Sequence, residues 1–467
     1  MDLSNEQTEA LLKYKKGENI FITGSGGSGK SEIIKIIFND AKLKRKRIQV
    51  CAMTGCAAIL LKCDARTLHS WSGIGLGNKS LEEITFRIGS NPKVKERWCN
   101  TRILVIDEVS MMSVKLFNLL NNVAKIIRKS DKPFGGIQVI LSGDFYQLPP
   151  IGDKNCSESK QYCFESDEWY NVVKLNNHIV FNTIFRQNDN VLINILNKVR
   201  CGEINDEIIN ILEKKINSPI NESLLRTKLF PTRYKVEQIN QQEFNKLSGV
   251  KHIYKMKRFT NNRLLSRRER DKLNSMTEDE IENEFLNLES NLMCKDILEL
   301  KIGTQVMCII NVNNPDTDTI ILSNGSQGKV IDFDCCTDID GDGENTYYLP
   351  IVLFNNGYRT VINYHSWDCE RVPKSGVSQL PLIHSWAMTI HKSQGLTIDN
   401  VELDIGNSIF EYGQTYVALS RIKTFDGLNL LRFDYTKIKF NQKVKDFYRN
   451  IDESNNNFNT ATVLNIY

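Results

Sequence analysis

Apolar runs of strand length recur in the first part of the chain, at residues 19–23, 48–54, 102–107 and 137–143. Behind the first of them, Ile34, Ile37, Phe38 and Ala41 return at the spacing of one helix face. Strands alternating with helices predict a parallel sheet with crossover helices. Residues 71–99 interrupt that rhythm with glycines, a charged helical stretch and Asn91-Pro92, and read as a small insertion. A new strand near Thr227 to Thr232 opens a second α/β unit, which resumes at Leu380 and runs to about Lys445. The intervening texture is different. Residues 262–290 are strongly charged, with a Thr277-x-x-Glu280 capping box that starts a helix. Residues 303–364 hold short β runs punctuated by Asn324-Gly325 and Asn356-Gly357, the dipeptides of tight hairpins. The tail from Asp452 is rich in asparagine and is expected to fray.

Composition narrows this picture only slightly. A chain of 467 residues exceeds what one core usually serves. With 41% hydrophobic and 25% charged residues it falls among soluble globular proteins. No apolar stretch is long enough to span a bilayer, and Met1 to Gln7 lack the basic and apolar regions of a secretory or mitochondrial presequence. An intracellular protein with no membrane partner is therefore expected, in nucleus or cytoplasm, a viral replication site included. A net charge of +4 permits a nucleic-acid partner without arguing for one. The twelve cysteines are scattered. Neither the Cys51, Cys56, Cys63 run nor the adjacent Cys335-Cys336 has zinc-site spacing, so reduced thiols are expected.

The chemistry begins at Gly24-Ser25-Gly26-Gly27-Ser28-Gly29-Lys30-Ser31, which fits G-x-x-x-x-G-K-[ST] between a strand and a helix. Its glycines let backbone N–H groups turn inward around phosphates, and the helix N-terminus adds a favourable dipole. Lys30 supplies charge to the β/γ-phosphates, and the Ser31 hydroxyl suits Mg²⁺. Downstream, residues 102–107 form an apolar strand ending in Asp107, followed by Glu108. Asp107 is suited to hold Mg²⁺ through water, and Glu108 to orient and deprotonate the attacking water. These features call for a nucleoside triphosphate and Mg²⁺ but leave kinases, GTPases and transport ATPases open.

The remaining blocks carry a resemblance. The run Gly143-Asp144-Phe145-Tyr146-Gln147-Leu148-Pro149-Pro150 is similar to motif III of superfamily 1 helicases. Phe185-Arg186-Gln187 resembles motif IV, residues 391–397 (His-Lys-Ser-Gln-Gly-Leu-Thr) motif V, and residues 413–421 (Gly-Gln-Thr-Tyr-Val-Ala-Leu-Ser-Arg) motif VI. Residues 54–58 and 67–70 resemble motifs Ia and Ib, and Gln7 falls where a Q-motif glutamine stands. Order and wording resemble the PIF (petite integration frequency) helicases, relatives of RecD, over residues 3–435. Cys56, where relatives often carry a small apolar residue, is a mild departure, and 262–290 matches no pattern.

The resemblance implies an α/β fold of two RecA-like parallel-sheet P-loop NTPase domains, a wedge insertion and an inserted SH3-like β module. The boundaries read from the chain are 1–70 with 100–180 for the first RecA-like domain and 71–99 for the wedge. The second RecA-like domain takes 181–240 with 380–450, the β module 241–379, and a flexible tail 451–467. The implied activity is ATP-dependent 5′→3′ translocation on single-stranded DNA and unwinding of forked or tailed duplexes, by a monomeric motor, in replication, repair or recombination. Gln147 is implied to sense the γ-phosphate, Gln7 to read adenine, and Gly395 to join the nucleotide contacts. Arg186 and Arg421 are the candidates for stabilising the transferring phosphoryl group. Gln414, Val417 and Arg421 share a face if the segment is helical, which would carry Arg421 toward a cleft. Thr54, His69, His391 and Ser393 are the expected DNA contacts. Two alternatives stand beside this reading: an RNA or RNP-remodelling ATPase of the same superfamily, and a DNA-binding scaffold with a vestigial ATPase. Two further signals are read as structural: Asp338-x-Asp340-x-Asp342-Gly343 lacks the closing glutamate of a calcium loop, and Lys42 to Arg47 reads as a solvated helix end. Arg267 to Arg270 fits a DNA contact and a solvated helix equally well.

Overall fold

The structure, a computed structural model, describes residues 3–464 except 62, 76, 78, 154–155, 188, 217, 219–224, 262–264, 314–319, 323, 341–342 and 370–371. The chain gathers into two compact units: residues 1–206 with 409–420 and 435–467, and residues 207–408 with 421–434.

The first unit runs α1 (Asn5–Lys15), β1 (Ile20–Gly24), α2 (Lys30–Leu43), β2 (Ile48–Ala52), α3 (Gly55–Leu61), β3 (Arg66–Thr67) and α4 (Leu68–Ser72). It continues with α5 (Leu81–Ser90), α6 (Pro92–Asn100), β4 (Ile103–Asp107), α7 (Val114–Arg128), β5 (Gln138–Ser142), α8 (Trp169–Val172), β6 (His178–Phe181) and α9 (Asn190–Cys201). Six strands pair in the order β3-β2-β4-β5-β1-β6, all parallel. Every residue of β1 and β4 is buried, as a parallel sheet covered on both faces requires. Alternation sorts the faces. Ile20 and Ile22 join a core with Tyr14 of α1 and Ile33, Ile34 and Ile37 of α2. Phe21 points the other way, its ring 5.2 Å from Phe145, 5.5 Å from Trp169 and 6.2 Å from Phe447.

Phe447 belongs to the C-terminal helix, Gln442–Leu464. That helix continues through the tail expected to fray from Asp452 as far as Leu464, while the part that precedes the tail is anchored in the first core. Phe447 stacks on Phe164 at 4.3 Å, and Ile451 is fully buried. Aromatic packing outweighs the low apolar content of the segment.

The 71–99 insertion is a pair of helices. Trp71 and Trp98 meet at 4.5 Å, and the Trp98 indole N–H donates to the Ser72 carbonyl at 2.9 Å. Ile84 and Ile88 of α5 are buried on the side that packs on α7. Phe86 faces outward and is 77% exposed.

In the second unit, Ala387–Thr389, Thr227–Phe230, Val401–Ile405 and Leu428–Phe433 form a four-stranded parallel sheet. A five-stranded antiparallel sheet carries the predicted β module, built on the hairpin of Gln327–Asp340 with Gly343–Phe354. Its strand Leu382–His384 extends the module past residue 379. The Thr277 capping box is present, with Glu280 as its partner. At Asn324-Gly325 the chain turns without forming the predicted hairpin, since Ile320–Leu322 and Gln327–Asp340 pair in different sheets. Gly325 has φ 101°, and a Cβ there would lie 2.3 Å from the Thr397 carbonyl oxygen. Of the acidic run 338–343, residues 341 and 342 lie outside the described residues.

The units divide differently from the boundaries read along the chain. β6 pairs with β1, and the segment that follows, Phe185 and Arg186 included, belongs to the first unit, as do residues 409–420.

Candidate active site

The phosphate loop joins β1 to α2, and its glycines do different work. Gly24, Gly27 and Gly29 hold φ of 143°, 88° and 84°, which side chains rarely adopt. Each is also crowded. A Cβ would come within 2.5 Å of the Phe181 carbonyl at Gly24, 2.4 Å of the Arg186 Cβ at Gly27, and 2.6 Å of the Gln7 amide nitrogen at Gly29. The loop is thus gripped by the end of β6, by motif IV and by α1, and the Phe185 N–H donates to the Gly27 carbonyl at 2.9 Å.

Lys30 opens α2 and donates to the carbonyls of Gly24 at 2.7 Å and Ser25 at 3.0 Å. Burial pushes its pKa down, while the carboxylates of Asp144, Glu108 and Asp107 hold it up. Ser28 is buried, and its hydroxyl makes no hydrogen bond among the described residues. An orphaned hydroxyl, a lysine head and a cradle without room for side chains fit a polyphosphate. The exposed Ser31 hydroxyl at the start of α2 and the Asp107 carboxylate form a donor set that suits Mg²⁺, which keeps several waters.

Asp107 ends β4. Its burial raises the carboxyl pKa, opposed by the Ser142 side chain and by Lys30. Glu108 follows with φ 57°, the left-handed region, at a cost of about 1–3 kcal/mol for a non-glycine residue. This turn lies against motif III, since a Cβ on Gly143 would meet the Val109 nitrogen at 2.9 Å. The Gln147 N–H donates to the Asp144 carbonyl at 2.9 Å, and Gln147 itself is buried. Arg186 reaches the Ser420 carbonyl at 3.4 Å. Burial pulls its pKa down, offset by Tyr416 and by the charge of Glu108.

Gln7 serves two ends. Its Oε1 accepts from the Ser4 N–H at 3.1 Å in the capping box of α1, while its amide nitrogen faces Gly29. The first unit therefore brings together Gln7, residues 24–31, Asp107, Glu108, Gln147 and Arg186. Gly395 and Arg421 belong to the second unit. Arg421 is also not on the motif VI helix. That helix spans Gln414–Leu419 and ends at the Ser420 cap, so the shared face with Gln414 and Val417 does not extend to it.

The expected DNA contacts sort into two groups. Thr54 and His69 follow the neighbouring strands β2 and β3, where Ala52 pairs with Thr67. The Thr54 hydroxyl caps α3 by accepting from the Ala57 N–H at 3.2 Å, and burial lowers the His69 pKa. In the second unit, His391, Ser393 and Gly395 follow the strand Ala387–Thr389. Ser393 is fully buried, with its hydroxyl donating to the Ile390 carbonyl at 2.8 Å.

Four residues beside the phosphate loop went unassigned in the sequence: Asp144, Arg200, Tyr416 and Tyr448. Asp144 and Tyr416 lie within quoted motifs. Arg200 and Tyr448 stand outside every motif, and only contacts remote in sequence reveal them.

Comparison with known proteins identifies the family. The family model for PIF1-like helicases matches residues 2–210. The ATP-dependent DNA helicase RRM3 of Saccharomyces cerevisiae is 32% identical over 96% of this chain and 68% of its own length. This chain spans 61% of the ATP-dependent DNA helicase PIF1 of Emericella nidulans, less than two thirds of that relative. The crystal structure of the Pif1 helicase from Candida albicans superposes with a TM-score of 0.71 at 34% identity, over 97% of this chain and all of that one. Bacteroides Pif1 bound to single-stranded DNA gives a TM-score of 0.60 at 25% identity, over 98% of both chains. With motif order, nucleotide cradle and similarity over nearly the whole of this chain in agreement, the chain belongs to the PIF1-like helicase family.

Proposed function

We propose that the chain is an ATP-dependent DNA helicase that moves 5′→3′ on single-stranded DNA and separates duplexes ahead of it. The observation that carries the reading is the convergence of Lys30, Asp107, Glu108 and Arg186 on one glycine cradle closed to side chains. Lys30 would neutralise the terminal phosphates, and Glu108 would accept the proton of the attacking water. Gln147 would sense the γ-phosphate, and Arg186 and Arg421 would stabilise the charge that develops on it. Ser31 and Asp107 would hold Mg²⁺, which supplies charge neutralisation to the phosphates when bound. Family membership and the DNA named for relatives support DNA over RNA as the track, with Thr54, His69 and His391 as candidate contacts. The buried Ser393 hydroxyl is committed to the Ile390 carbonyl and shapes the loop instead.

Strand displacement tests the polarity. A duplex with a 5′ single-stranded tail is expected to be unwound, and one with a 3′ tail is not. Equal displacement from a 3′ tail removes the polarity while leaving the ATPase assignment intact. The same proposal has the chain work as a single-copy motor inside the cell, in nucleus or cytoplasm. Unwinding at limiting protein and microscopy of a tagged chain test those two points.

The insertion at 71–99 is the proposed strand-separating wedge. Its helices are fixed through Trp71 and Trp98, and Phe86 projects outward. Unstacking a base step costs roughly 1–2 kcal/mol, so a rigid element need only block reannealing. Replacing residues 73–78, of which 76 and 78 lie outside the described residues, by a Gly/Ser loop tests this. DNA-stimulated ATPase is expected to persist while unwinding per ATP falls sharply. Unchanged unwinding per ATP assigns the segment to scaffold.

A further inference from the structure

The Asp144 carboxylate is fully buried behind the phosphate loop and is the convergence point of five donors. Arg200 forks onto it, Nη2 to Oδ1 at 2.9 Å and Nε to Oδ2 at 3.0 Å. The Tyr146 N–H donates to Oδ1 at 3.2 Å, the Tyr448 hydroxyl meets Oδ1 at 3.4 Å, and the Tyr416 hydroxyl meets Oδ2 at 3.2 Å.

An ionised carboxylate only accepts, so both tyrosine hydroxyls turn their protons toward Asp144 and their lone pairs away from it. Those lone pairs meet the phosphate loop. Tyr416 accepts from the Gly26 N–H at 3.0 Å, and Tyr448 lies 2.6 Å from the Thr23 hydroxyl, which then donates to it. Tyr448 also accepts from the Phe145 N–H at 3.1 Å. Two relays thus begin on either side of Gly24 and end on one carboxylate, which also pins the turn presenting Gln147. Arg200 supplies the countercharge. Its guanidinium lies 4.5 Å from the Tyr146 ring and 5.2 Å from the Tyr448 ring, and these two rings stack at 4.9 Å.

We propose that Arg200 and Tyr448 are positioning residues for ATP hydrolysis, holding the phosphate loop and the Gln147 turn in one rigid arrangement through Asp144. The proposal rests on the helicase-ATPase reading above. Neither residue belongs to a recognised motif, and each acts only through another group. Their removal should therefore spare ground-state nucleotide binding, which the loop backbone and Lys30 provide. It should cost the transition state, where sub-ångström placement decides the rate.

Tyr448→Phe keeps the ring stack and deletes the hydroxyl. Arg200→Lys keeps the charge and loses the fork and the flat stack. DNA-stimulated ATPase and backbone amide exchange are measured for both beside the wild type. The expected result is kcat lowered roughly ten- to a hundredfold at near-constant KM for ATP. Faster exchange at Gly26 and at Tyr146 to Gln147 is expected with it, in protein that melts near the wild-type temperature. Because amide exchange needs no turnover, an inactive wild type would refute the ATPase reading while exchange still judges the relay. Exchange unchanged at these amides overturns the proposal. So does wild-type kcat in both variants, or a kcat loss matched by an equal loss of folded protein.

Discussion

Replacing Lys30 with alanine is expected to lower ATP turnover roughly a thousandfold, the scale for deleting one preorganised charge at a reacting phosphate. Lys30 is held by the Gly24 and Ser25 carbonyls at the mouth of the glycine cradle, so its ammonium is already in place when a phosphate arrives. Burial pulls its pKa down, and three carboxylates, those of Asp144, Glu108 and Asp107, oppose that pull. Affinity for single-stranded DNA is expected to change little, because the candidate DNA contacts lie on other loops. Steady-state ATPase and fluorescence anisotropy with a labelled oligonucleotide, both at one fixed salt concentration, check the two halves. A parallel loss of DNA binding by folded protein would contradict the role given to Lys30.

Glu108→Gln is expected to retain nucleotide binding while turnover falls by about 10²–10⁴, the range for loss of a general base. The amide matches the carboxylate in shape but cannot take the water's proton. The backbone around Glu108 supports the assignment. A left-handed conformation is maintained at a non-glycine residue, and the turn is held against Gly143 of motif III. The binding half is read with a fluorescent ATP analogue and the chemical half in a single-turnover quench. Wild-type turnover would show that another group activates the water.

Much of this protein was legible along the chain because the signals are local. The strands at 19–23, 102–107 and 137–143 appear as β1, β4 and β5 with small shifts at the ends, since continuous apolar runs specify buried parallel strands. The phosphate loop is legible for the same reason: strand, glycines, Lys30 and helix are contiguous. The Asn356-Gly357 hairpin, which pairs Leu353 with Arg359, and the Thr277 capping box are likewise set by residues a few positions apart.

Position in space was the part that could not be read. Arg186 was allotted to the second domain by its place in the chain, but β6 pairs beside β1 and carries it over Gly27. Helical periodicity put Arg421 on a face with Gln414 and Val417, yet periodicity does not report that the helix stops at Leu419. The chain reads as fraying from Asp452, yet the helix continues to Leu464. Just before that point Phe447, Tyr448 and Ile451 are buried, because a core formed more than 250 residues earlier receives them. The Asp144 hub follows the same logic, with partners at Arg200, Tyr416 and Tyr448. What the sequence alone determined is the nucleotide chemistry and the family, both written in contiguous motifs. Which groups position that chemistry was decided by tertiary structure, because a buried carboxylate takes its partners from whatever packing brings within hydrogen-bond reach, at any distance along the chain.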